Sequence, residues 1–99
     1  MEKDIVVDDY VISVLMRDMA GHDRCPSAFL VYLHLWSECQ RREANAAPAS
    51  HQAIAEATGL SKSAVQKAVR YLVERKLLRA QKASVTATPE YRVLRTWRR

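Results

Sequence analysis

The sequence predicts a mainly α fold with a small β-hairpin wing: three to four helices, then a two-stranded antiparallel hairpin. Three observations carry this. Apolar residues recur at helical spacing through residues 10–19, 28–39 and 54–72; Pro26, Ser50, Gly59 and Ser61 stand where helices start and stop; and beyond Leu78 the period shortens to that of strands. Ninety-nine residues make one domain's worth of chain. The expected parts are an acidic N-terminal helix within 1–23, a central scaffold helix at 26–43, a helical pair at 50–75 and a hairpin at 77–97.

The first helix is expected to follow Asp8 or Asp9, either of which can cap it, and to end at Gly21. Tyr10, Val11, Val14 and Leu15 form one apolar row, and Ile12, Met16 and Met19 form another beside it. Such an arc is wider than one core contact requires, which predicts a helix sandwiched in the monomer or buried against a second subunit. The β-branched run Ile5, Val6, Val7, Val11, Ile12, Val14 keeps a strand reading open there. After the loop 21–27, a helix from Pro26 to about Arg42 has only His34 polar between Ala28 and Trp36, so it is expected to be the most buried element. Its two stripes, Phe29, Tyr32, Leu33, Trp36 and Ala28, Val31, Leu35, Cys39, predict a neighbour on each side. Residues 43–49 lose periodicity and contain Pro48, so they read as a connector. Ser50 then caps a short helix, His51 to Thr58.

Charge is unevenly placed. Residues 1–23 hold two basic and six acidic side chains, whereas the remainder hold fourteen basic and five acidic, within a net charge of +5. A basic body behind an acidic segment suits a polyanion. The absence of an 18-residue apolar run and an acidic rather than basic N-terminus predict a cytoplasmic protein with no membrane partner. Cys25 and Cys39 are expected to stay thiols.

Residues 51–70 carry the functional signal. Two short helices that cross steeply need a small residue at the crossing, a turn residue tolerant of positive φ, and apolar anchors on both sides. Ala55, Gly59 and Leu60 meet the first demands, and Ile54, Val65, Ala68, Val69 and Leu72 supply the buried faces, with Ser61 capping the second helix. This is a helix-turn-helix. The inward stripe forces Ser63, Gln66, Lys67 and Arg70 outward, with Ser61 and Lys62 at the exposed N-terminus. Gln66 suits adenine, Arg70 or Lys67 guanine or phosphate, and the N–H groups at Ser61 a phosphate. After Leu78, two short segments around a polar tip form the wing.

The run Ile54-Ala55-Glu56-Ala57-Thr58-Gly59-Leu60-Ser61-Lys62-Ser63-Ala64-Val65-Gln66-Lys67-Ala68-Val69-Arg70-Tyr71-Leu72, followed by Glu74-Arg75-Lys76-Leu77-Leu78, resembles the winged helix-turn-helix proteins of bacteria, especially small MarR-like transcriptional regulators. The resemblance covers about half of the chain. It implies sequence-specific binding of double-stranded DNA, with Arg79, Lys82 and Arg92 of the wing as phosphate contacts; Arg92 and Arg95 serve equally well as decoration of the hairpin's outer face, and Lys82 lies nearest the tip. A homodimer is expected, because one recognition helix reads only a few base pairs, and the arc over 10–19 is its expected surface. Regulators of this kind usually carry a further long helix after the wing that builds the dimer and a ligand pocket. Here the sequence runs two residues past Trp97, so no small-molecule inducer is expected, and the 99 residues are either a whole protein or a domain of a longer one. A replication or plasmid-initiation module and a winged helix used only for protein contacts are the alternatives.

Other constellations are set aside. His22, Cys25, His34 and Cys39 suggest zinc, but His34 and Cys39 lie about 140° apart around a helix, so no metal or other cofactor is expected. Ser50-His51 lacks an orienting carboxylate or an oxyanion loop, so no catalytic residue and no enzyme activity are expected. Tyr71, Tyr91 and Trp97 offer stacking platforms for single strands, yet Tyr91 and Trp97 fit better as packing between hairpin and helix.

Overall fold

The computed structural model describes residues 4–98; Glu2 and Lys3, which enter the charge balance above, lie outside the described residues, as do Met1 and Arg99. Three α-helices, α1 (Pro26–Arg41), α2 (His51–Thr58) and α3 (Lys62–Glu74), follow an N-terminal helix over 9–22. Three short strands, β1 (Ala46–Pro48), β2 (Leu78–Gln81) and β3 (Glu90–Val93), form an antiparallel sheet in the order β1-β3-β2.

α1 is the centre of the fold. Pro26 opens it at a position that lacks an intrahelical partner for its N–H anyway. Both of its expected stripes are found: Ala28, Phe29, Val31, Tyr32, Leu35, Trp36 and Cys39 are buried against α2, α3 and the sheet, while Leu33 is half-buried and Leu30 exposed.

The connector expected at 43–49 contains a strand. β1 pairs with β3 in the register Ala46↔Arg92, Ala47↔Tyr91, Pro48↔Glu90, which makes the expected two-stranded wing part of a three-stranded sheet. Proline is a poor strand residue in general, yet it is tolerated on an edge strand, and β1 is an edge. The final strand is also shorter than expected, ending at Val93, after which the chain turns back so that Trp97 lies against the helices.

The N-terminal helix departs most from expectation. Its segments Val11–Leu15 and Asp18–His22 are π-helical, with turns wider than those of an α-helix. Residues four apart drift about 40° per step around a regular α-helix, and wider turns cancel that drift. Val11, Leu15 and Met19 therefore line up as one buried row and Ile12 and Met16 stay exposed, so the apolar arc is not sandwiched within the monomer. Neither expected aspartate caps this helix: the Asp8 carboxylate accepts from Trp97 Nε1 (2.8 Å) and Arg98, and Asp9 accepts from Ser13 Oγ. Gly21 is not its end, since the helix runs to His22 and the left-handed residue is Arg24 (φ 52°).

Long-range contacts close the N-terminal side. Tyr10 stacks on Trp97, Trp97 stacks on Trp36, and the Arg95 guanidinium sits 4.4 Å from the Trp36 ring centroid. Trp36 Nε1 donates to the Val6 carbonyl (2.8 Å), and Tyr32 Oη to the Leu94 carbonyl (2.9 Å). The Asp23 carboxylate accepts from Tyr71 and Arg75 at the end of α3, and the Tyr71 hydrogen bond leads in holding Asp23 below its ordinary pKa. Tyr71, considered above for base stacking, thus ties α3 to the loop before α1.

Candidate nucleic-acid interface

The position of α3 is set locally. Ser50 Oγ accepts from Ala53 N (3.0 Å) and starts α2. Gly59, at φ 80°, ends α2 in the left-handed conformation that other residues adopt at a cost. Two residues on, Ser61 Oγ accepts from Ala64 N (3.1 Å) and starts α3. Between the two helices Thr58 Oγ1 donates to the Ile54 carbonyl (2.7 Å) and accepts from Leu60 N, fixing the turn from inside. Ala55 is buried, as a close crossing requires, and Ile54, Val65, Ala68, Val69 and Leu72 are buried with it.

The opposite side of α3 is open. Ser61, Lys62, Ser63, Gln66, Lys67 and Arg70 are all exposed, so the structure brings these six sequence-derived candidates onto one helix surface. The helix is closed at its far end by a Schellman turn, Lys76 N to Val73 O and Leu77 N to Leu72 O, with Lys76 in the left-handed region at φ 60°.

A concave cleft of about 660 Å³ separates this surface from the wing. His51 and Gln52 contribute from the start of α2, Lys62 and Gln66 from α3, and Gln81 and Lys82 from the hairpin. Lys82 reaches the wing tip, donating to the Val85 carbonyl at 3.3 Å. Arg79 does not line the cleft. It pairs with Arg92, which alternates with buried Tyr91 and Val93, so both arginines occupy the sheet's outer face directly opposite each other. Like charges so placed repel, and the exposed Glu90 shares this face of β3 with Arg92.

His51, Gln52 and Gln81 were not singled out as ligand contacts from the sequence. In the sequence His51 stands out only as a neighbour of Ser50, and the signal that distinguishes it is three-dimensional: the first turn of α2 opens onto the same cleft as Lys62 and Lys82. Burial lowers the His51 pKa from its ordinary value, and the charges of Lys62 and Lys82 lower it further.

Among the described residues no helix is long and apolar enough to cross a membrane. No significant match to this chain was found among curated proteins or solved structures. A family described as "Helix-turn-helix domain" matches residues 26–78, from the first residue of α1 through the recognition pair to the first residue of β2. The matched segment spans more than half of the chain and contains the Ala55, Gly59 and Ser61 geometry described above, and the chain belongs to this helix-turn-helix domain family.

Proposed function

We propose that the protein is a sequence-specific double-stranded-DNA-binding transcriptional regulator of the MarR-like kind, acting as a homodimer. The observation that carries this reading is the exposed polar and basic surface of α3, which stands beside a cleft walled by Lys62 and Lys82. A helix-turn-helix reads DNA by placing its second helix in the major groove. Gln66 and Arg70 then face base edges, Ser61, Lys62, Ser63 and Lys67 position the backbone, and the wing's Lys82 grips a phosphate. Arg79 contributes to the positive field from the outer face of the sheet. The exposed Ile12 and Met16, one turn apart on the N-terminal helix, are the proposed dimer contact.

Selection from a random duplex pool followed by two substitutions tests the assignment. Arg70→Ala is expected to relax base preference at a cost of about 1–3 kcal/mol, while Lys82→Ala weakens all duplexes alike. Equal, sequence-blind losses would reduce Arg70 to a phosphate contact. A solution mass of one chain at micromolar concentration would remove the homodimer.

A further inference from the structure

The cleft between α2, α3 and the wing collects basic side chains from three elements, His51, Lys62 and Lys82, and no carboxylate is among the described residues lining it. From β3 the facing titratable group is Tyr91, and the remaining polar walls, Gln52, Gln66 and Gln81, are neutral. The His51 ring is half-buried and has no hydrogen-bond partner among the described residues. Two ammonium groups around one hollow repel one another in the free protein and disfavour a charge on the unpaired imidazole beside them, and an anion in the hollow offsets both effects.

We propose that His51 is a phosphate contact that takes up a proton as duplex DNA enters the cleft, so that DNA affinity rises as pH falls. This rests on the DNA-binding reading above. In the free protein, burial first and then Lys62 and Lys82 hold His51 below its ordinary pKa of 6.5, which leaves the ring neutral at pH 7. A phosphodiester in the cleft accepts a ring N–H and offsets both lysines, so protonation is easier in the complex than in the free chain. Affinity therefore strengthens as pH falls through the bound-state value and levels off below the free-state value.

The test is binding of the full chain to a fluorescein-labelled duplex at constant ionic strength, from about pH 8 to about pH 5.5. The unaltered protein is expected to bind roughly tenfold tighter at the acid end, with a slope approaching one proton. His51→Gln should lose this slope while still binding, His51→Arg should bind tightly at every pH, and His22→Gln, at an exposed position outside the cleft, should keep the slope. A slope that survives His51→Gln, or a flat profile in the unaltered protein, overturns the proposal and leaves DNA binding standing. Absence of duplex binding at every pH overturns both.

Discussion

The helix-turn-helix and the N-terminal helix are both amphipathic, yet they are specified in opposite ways. In the first, caps and turn are settled by residues two to four positions apart: Ser50 with Ala53, Thr58 with Ile54 and Leu60, Ser61 with Ala64. In the second, the anchors are distant in sequence: Asp8 with Trp97 and Arg98, Tyr10 with Trp97, Asp23 with Tyr71 and Arg75. The exposed surface of α3 is thus built on local rules, and the N-terminal helix is held by tertiary contacts.

The largest effect is expected on the tertiary side. Trp36→Ala removes a fully buried ring that joins α1 to Val6, Trp97 and Arg95, at a cost of about 3–5 kcal/mol in urea unfolding. A loss near that of a surface substitution would mean that the N-terminal closure does not depend on it.

On the local side, Gly59→Ala is expected to cost about 1–2 kcal/mol. An added Cβ would meet nothing within 4 Å, so the cost is backbone strain alone, and a thermal melt unchanged by this variant would contradict the turn geometry.

Asp8→Asn separates charge from packing. The hydrogen bond from Arg98 leads in bringing the Asp8 pKa down to about 2, burial opposes it, and Trp97 adds to the lowering. With its folded value below its unfolded one, Asp8 stabilises the protein above about pH 4, and the contribution fades as pH falls toward about 2. The variant is expected to lose about 1 kcal/mol near neutrality, because the Arg98 guanidinium is half-exposed, and to converge on the parent as pH falls through about 2. A stability gap that does not narrow as pH falls through about 2 would assign the effect to packing.

The smallest effect is a gain. Lys76→Gly relieves a left-handed lysine at the end of α3 and should raise stability by about 0.5–1 kcal/mol, read as a higher melting temperature. A decrease would show that the lysine side chain stabilises the turn by more than its backbone costs.

These differences explain what was legible in the sequence. Ala55, Gly59, Leu60 and Ser61 carry their structural meaning in their neighbours, so α2, the turn and the outward surface of α3 were read residue by residue. Helix ends were harder, because Arg24, Glu43 and Lys76 occupy the left-handed positions where glycine would have marked them. β1 was missed because three residues have no resolvable period and its pairing partner β3 lies more than forty residues away. The π-helical turns were missed for a related reason: only the packed core shows that Val11, Leu15 and Met19 share one row. The cleft itself, which unites His51 with Lys62 and Lys82, exists only once the hairpin folds back beside α3.

The central claim is that the exposed surface of α3 and its adjoining cleft bind duplex DNA, and its most direct test is affinity as a function of salt. Each phosphate engaged by a basic side chain contributes about −0.9 to the slope of log K against log salt, so Lys62 and Lys82 alone predict a slope of about −2 or steeper. A flat response, or no binding to any duplex at about 50 mM salt, would contradict the claim.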